Sequence, residues 1–298
     1  MVVLKINLNS HFYMGLVLML SMLLTACTNA AFKTFNAPSY LLNKHTLEPN
    51  LAYGDKTYQK LDLYVPKDQS NATDQLIVFV HGGGWTSGAK EHYYFVADAL
   101  TSAGYAVAIP DYIKYPNGEF PSFVEDIALS IAWLVANVQQ YANINEFIIM
   151  GHSAGAHTGA LLITDPTYLA AHQLQTDVVH AFVGLAGPYG FTPKEKKYRD
   201  VFANLEDYNQ MKPLYFASGE EPAMLLLHGN DDTTVLPVNT RKFAEKVIEQ
   251  GGTAVTYLYG GRGHIDIMLA FSRVAGSKDP VRMDILDFLQ RQAKNQPE

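Results

Sequence analysis

Five largely apolar runs constrain this chain more than anything else in it: Leu76–Val80, Tyr105–Ile109, Phe147–Met150, Val178–Leu185 and Ala223–Leu227. Short runs rich in branched and aromatic residues suit strands buried on both faces. Between them the apolar spacing changes. Phe123, Ile127, Ile131, Leu134 and Val138 recur at three-to-four intervals, which predicts a long helix over about 120–141. Further helices are expected over about 91–102, 154–164, 237–250 and 280–292, with Gly104 and Gly251-Gly252 as stops and Pro280 in a first turn. Tyr58–Val65 alternates apolar and polar residues, as a half-exposed strand does, and Thr253–Leu258 supplies a last strand. Strands alternating with helices require parallel pairing with right-handed crossovers. The expected class is α/β, with a mostly parallel sheet between helices and its functional groups at the carboxyl ends of the strands.

At 298 residues and 48% hydrophobic content the chain can bury a large core, and residues 51–298 read as one domain. The formal charge of −7 argues against nucleic acid as a partner. Only 187–222 lacks a clean pattern; it is too short for a second domain and suits a small lid or loop excursion.

The N-terminus is of another kind. Gly15–Leu24 is a short apolar run behind Lys5, with the proportions of a signal peptide rather than a membrane span. Leu24-Thr25-Ala26-Cys27 follows and resembles a bacterial lipobox, with the sole cysteine at the acceptor position. The expectation is cleavage before Cys27, lipidation of its thiol, and residues 27–50 as tether and N-terminal extension. The rival is a buried free cysteine behind an uncleaved anchor. The lipobox implies a periplasm-facing, lipid-anchored protein of the bacterial envelope. Thr28, where an aspartate would signal retention, resembles outer-membrane delivery.

Gly151-His152-Ser153-Ala154-Gly155 lies between the Phe147–Met150 strand and the next helix. A serine at such a strand-to-helix turn projects its hydroxyl from a sharp, open bend. It needs a base to take its proton, so Ser153 is the expected nucleophile rather than a helix cap. An oxyanion formed by its attack needs fixed donors. The Ala154 amide at the helix N-terminus and the His81-Gly82-Gly83-Gly84 loop after another strand offer them, with Gly83 as the main donor and Gly82 or Gly84 as additions. His81 is expected to brace that loop. Trp85 either packs beneath the loop or lines an acyl pocket.

His264, on the glycine-rich loop Gly260-Gly261-Arg262-Gly263 after the last strand, is the expected base. His228 and His157 read as structural, as does Asp126. The base needs a carboxylate to orient it, and Asp231 and Asp232 are both at hand. No zinc spacing and no phosphate or dinucleotide fingerprint is present, so neither metal nor cofactor is expected.

With these residues the chain resembles the α/β-hydrolase superfamily, most closely the hormone-sensitive-lipase-like and feruloyl-esterase-like esterases, with some similarity to kynurenine formamidases through His81-Gly82-Gly83-Gly84-Trp85. The similarity extends from about Tyr58 to Phe288. It includes Asp111-Tyr112, Phe120-Pro121, Glu125-Asp126 and His228-Gly229. In that family the acid stands three residues after the His-Gly pair, which selects Asp232. Ile113-Lys114 stand where such esterases commonly have Arg-Leu. The resemblance implies an α/β-hydrolase fold with a small cap and a serine hydrolase cleaving small carboxylic esters of short to medium acyl chain. An amidase or formamidase with the same triad is the alternative. A non-catalytic envelope lipoprotein is a third reading, against which the complete Ser/Asp/His set argues.

Overall fold

The computed structural model describes residues 36–40 and 44–294. The expected signal peptide and Cys27 lie outside the described residues. Eight strands form one sheet in the order β1-β2-β4-β3-β5-β6-β7-β8. They are β1 (His45–Ala52), β2 (Lys60–Pro66), β3 (Gln75–Val80), β4 (Ala106–Pro110), β5 (Glu146–His152), β6 (Val179–Leu185), β7 (Ala223–Gly229) and β8 (Ala254–Tyr259). Only β2 runs against its neighbours; β3 to β8 are mutually parallel.

Alternate residues of each central strand face opposite layers, as the pleat requires. Leu76, Val78 and Val80 of β3 join the core under helices α2 (Ser122–Asn137), α3 (Ala154–Thr164) and α4 (Val238–Glu249), whereas Ile77 and Phe79 join the core under α1 (Tyr94–Thr101) and α5 (Pro280–Lys294). Helix α3 is buried along its whole length, which suits its nearly continuous Ala, Gly and Leu content.

Two expectations change. β2 is buried on both faces, because Asp62, the polar residue of its alternation, is paired with the Lys90 ammonium at 3.0 Å and accepts the Asn50 amide at 2.8 Å. The fold also starts earlier than residue 51. β1 occupies residues 45–52, and its mostly exposed edge carries Pro49 and a register shift between Glu48 and Leu51. Proline and irregularity blunt an edge against pairing with other chains, and they also erase the period that marks a strand in sequence. Further upstream, Asn36 clasps the chain around α1, donating to the Glu91 carbonyl at 2.9 Å and accepting the Phe95 amide at 3.0 Å.

The segment 187–222 forms helical turns at Lys196–Val201, Tyr208–Met211 and Pro213–Phe216. Val201, Phe202 and Met211 are fully buried, so the segment is packed into the core as a small fixed cap.

Where α3 leaves β5 it presses on the end of β3. A Cβ on Gly155 would stand 2.0 Å from the Val80 carbonyl oxygen. Gly155→Ala is therefore expected to cost about 2–3 kcal/mol of stability. At Gly260 nothing lies within 4 Å of an added methyl, and Gly260→Ala should stay within about 0.5 kcal/mol of the parent. Urea unfolding of the two variants checks the contrast.

Candidate active site

The turn from β5 into α3 holds Ser153 at φ 56° and ψ −123°. For a side-chain-bearing residue that conformation costs about 1–3 kcal/mol, and it persists only where the surroundings impose it. Here the Ser153 amide donates to the Leu185 carbonyl at 2.8 Å, and the Ser153 carbonyl accepts the His157 amide at 3.1 Å. The turn is tied to β6 on one side and to the helix on the other.

Ser153, His264 and Asp232 come together from the ends of three strands. The Ser153 hydroxyl lies 2.9 Å from His264 Nε2, and His264 Nδ1 lies 2.7 Å from Asp232 Oδ2. An Nδ1–H donated to the carboxylate leaves the Nε2 lone pair for the serine proton. Asp232 Oδ1 accepts the Thr234 and Val235 amides at 2.8 and 2.9 Å. Burial alone raises the Asp232 carboxyl, but these amides and His264 bring it below the usual carboxylate range. Asp231 makes no such contact; its amide donates to the Arg262 carbonyl at 3.0 Å.

The loop bearing His264 is pinned at several points. Gly263 donates to Asp266 Oδ2 at 2.8 Å, Arg262 pairs with Asp279 at 2.6 Å, and His152 Nε2 donates to the His264 carbonyl at 3.0 Å. Burial pushes the His152 imidazole down to about 3, so it acts there as a neutral donor.

His228, read from the sequence as merely structural, touches the acid itself. Its Nε2 lies 3.1 Å from Asp232 Oδ2 and 2.8 Å from the Val235 carbonyl, while Nδ1 faces the Thr240 hydroxyl at 2.7 Å. Two acceptors at Nε2 fix the proton there, so the Thr240 hydroxyl donates to Nδ1. The side chain is fully buried, and burial lowers its pKa. The spacing His228-Gly229-Asn230-Asp231-Asp232 was visible in sequence; that the turn folds histidine and acid onto each other was not.

The glycine loop stands over Ser153. Gly83, at φ 132°, turns so tightly that a Cβ would lie 2.1 Å from the Ser87 carbonyl oxygen, a conformation open only to glycine. Its carbonyl accepts the Thr86 and Ser87 amides. His81 braces the loop as expected: Nδ1 lies 2.9 Å from the Gly82 carbonyl and Nε2 3.3 Å from Asp111 Oδ1. Lys114, at the position where the esterase pattern departs, supports the same carboxylate at 3.5 Å. Among the described residues the amides of Gly83, Gly84 and Ala154 have no acceptor. Gly82 lies against the elbow itself: a Cβ on it would stand 3.2 Å from the Ser153 Cβ.

Trp85 is at once a packing residue and a lining residue. It is only 2% exposed, stacks on Phe191 at 5.5 Å, and also lines the cavity above Ser153. His157 packs edge-on against Trp85 at 5.1 Å and is fully buried, in keeping with a structural role. Asp126 accepts hydrogen bonds from Gln59 and from the Ile113 amide, away from Ser153. Phe191 and Tyr198 of the cap were not foreseen as lining residues, because the cap has no period from which to read a face. The cavity measures about 630 Å³. Among the described residues no group of three or more His, Cys, Asp or Glu side chains is placed to hold a metal ion.

The BD-FAE family model matches residues 61–247, more than half of the 298. A probable isoprenylcysteine alpha-carbonyl methylesterase of Arabidopsis thaliana is 27% identical over 257 residues, which cover 78% of this chain and 52% of that protein. Esterase LipC of Mycobacterium tuberculosis is 29% identical over 233 residues, covering 71% and 58%. The chain thus spans little more than half the length of these curated relatives. A solved truncated carbohydrate esterase from gut microbiota superposes with a TM-score of 0.71 at 20% identity, over 84% of this chain and 97% of that one, and shares its fold. On the sheet order and the extent of the family match, the chain has the α/β-hydrolase fold and belongs to the BD-FAE family.

Proposed function

We propose that the protein is a serine carboxylesterase that cleaves small esters of short to medium acyl chain through an acyl-enzyme. The observation that carries this reading is the hydrogen-bonded series Ser153–His264–Asp232 at 2.9 and 2.7 Å, beneath unpartnered amides. The Ser153 oxygen attacks the ester carbonyl while its proton passes to His264 Nε2. The carbonyl oxygen gains charge and is held by the Gly83 and Ala154 amides, with Gly84 beside them and the positive end of α3 behind. The intermediate collapses as His264 gives its proton to the departing alcohol oxygen and the carbon–oxygen bond breaks. Water, deprotonated by the same histidine, then releases the acid and restores the serine. Asp232 fixes the tautomer of His264 and stabilises its charged form, and His228 holds the carboxylate in place.

A methylesterase and an esterase among the relatives, matched over 78% and 71% of the chain, favour ester substrates; a kynurenine formamidase, matched over 48%, is what the amidase alternative rests on. The small, packed cap and the aromatic wall of Trp85 and Phe191 suit short acyl groups better than long lipid chains.

We also propose that the protein is tethered to the bacterial envelope by acyl chains on Cys27, facing the periplasm. The support is the apolar run ending at the sole cysteine. Each buried methylene contributes about 0.8 kcal/mol, so several chains on one residue suffice for stable anchoring.

Three outcomes are expected. Ser153→Ala should lower kcat for p-nitrophenyl butyrate by roughly a million-fold and abolish labelling by a fluorophosphonate probe; undiminished hydrolysis would end the esterase reading. His228→Leu removes a hydrogen bond to a charged group and should lower kcat by about tenfold with KM little changed. It also leaves the carboxylate less shielded, so the acidic limb of the kcat/KM profile should move to higher pH. His228→Gln, which keeps a donor near Nε2, should recover most of the loss, and a variant altered in melting temperature alone would make His228 merely structural. Cys27→Ser should shift the protein from the membrane to the soluble fraction on cell fractionation; retention on the membrane would mean an uncleaved anchor.

A further inference from the structure

The cavity over Ser153 has two unlike walls. One is aromatic and largely buried: Trp85 stacked on Phe191, with Tyr198 edge-on to Trp85 at 6.2 Å. The other is aliphatic and open. Its apolar part is built by Val235 and Leu236, which follow Asp232, and by Ile265, which follows His264, with Thr234 and Asn239 beside them. Leu236 is 57% exposed and Ile265 59%. Single exposed apolar residues are ordinary on a protein surface. These two differ because they line the same cavity and stand close in sequence to Asp232 and His264, two of the three residues of the hydrogen-bonded series.

We propose that Leu236 and Ile265 form the subsite for the alcohol portion of the substrate, and that the preferred substrates are esters of apolar alcohols rather than of sugars or glycerol. The inference rests on the esterase reading above. The tetrahedral carbon formed on Ser153 carries four groups whose directions are largely fixed. The serine oxygen comes from the elbow, and the oxyanion points to the Gly83 and Ala154 amides. The departing oxygen receives its proton from His264 Nε2, so it lies within about 3 Å of that atom. The acyl substituent takes the remaining direction, toward the wall that continues from the oxyanion loop through Trp85. The alcohol thus leaves along the His264 side, over Ile265 and Leu236. An alkyl or aryl alcohol covers both side chains and removes their apolar surface from water; a polyhydroxylated one meets only the Thr234 hydroxyl beside them, because the Asn239 side chain is already held by the Gly190 amide and the Leu236 carbonyl.

The test uses the full-length protein and acetate esters, so that the acyl group is constant and only the alcohol varies. Methyl, n-butyl, n-hexyl and benzyl acetates are compared with the monoacetates of glycerol and glucose by pH-stat, at concentrations where all are monomeric. The kcat/KM value should rise by roughly tenfold from methyl to n-hexyl, as partly covered methylenes accumulate. The two sugar-like esters should fall below n-butyl. In the double variant Leu236→Ser, Ile265→Ser the hexyl-to-methyl ratio should drop below about threefold, while a methyl ester series of increasing acyl length keeps its slope. A flat alcohol series, a preference for the glucose or glycerol ester, or a ratio that survives the double substitution overturns the subsite while leaving the esterase reading intact. If Ser153→Ala retains turnover, or no ester in either series is hydrolysed, the esterase reading falls and the subsite with it.

Discussion

The turn at Ser153 depends on a backbone conformation that the residue itself disfavours. Its φ of 56° is sustained by the hydrogen bond that its amide donates to the Leu185 carbonyl and by the close passage of α3 over β3 at Gly155. Trp85 after β3, at φ 59°, and Ala186 after β6, at φ 51°, share the left-handed region. Among the described residues, three of the five non-glycine residues with positive φ thus follow neighbouring strands of the sheet, and two of them, Trp85 and Ser153, line one cavity. Strain of about 1–3 kcal/mol per residue is carried by the rigid sheet beneath. That sheet is the reason a serine side chain can be presented outward, against its local preference.

Much of this was legible in the sequence because buried parallel strands leave continuous apolar runs, and the residues after those runs are where chemistry collects. The runs at 76–80, 147–150 and 223–227 located β3, β5 and β7, and with them the glycine loop, Ser153 and Asp232. The misses have a common physical origin. β1 is an edge strand, exposed and broken by a bulge, so no burial period was imposed on it. β2 kept its alternation but hid both faces, because the Asp62–Lys90 pair made a polar position compatible with the interior. The cap residues Phe191, Tyr198 and Phe202 gather on Trp85 through non-local packing that has no period at all.

The family pattern selects Asp232 over the adjacent Asp231, and the geometry supplies a physical distinction between them. Asp232 folds back on its own turn to accept the Thr234 and Val235 amides, which leaves Oδ2 for the two histidines. Asp231 points away, its amide used to hold the Arg262 carbonyl and so the loop of His264. One residue positions the imidazole through its side chain and the other through its backbone. A one-residue slip would exchange those tasks and place the carboxylate outside the site.

Histidines contribute three different services within this small volume, and burial separates them. His152 supports the His264 loop and His228 supports the Asp232 carboxylate, both as donors through Nε2. Desolvation lowers the pKa of each, so at neutral pH they remain uncharged and exchange no proton with the series they support. A second imidazolium beside Asp232 would compete with His264 for the same oxygen and weaken the field that stabilises its charged form. His264 is the one of the three whose side chain keeps appreciable solvent contact, at 11% exposure, and it faces the cavity. The proposed reaction asks that histidine alone to gain and lose a proton in each cycle, and the packing of the other two is what confines the proton to it.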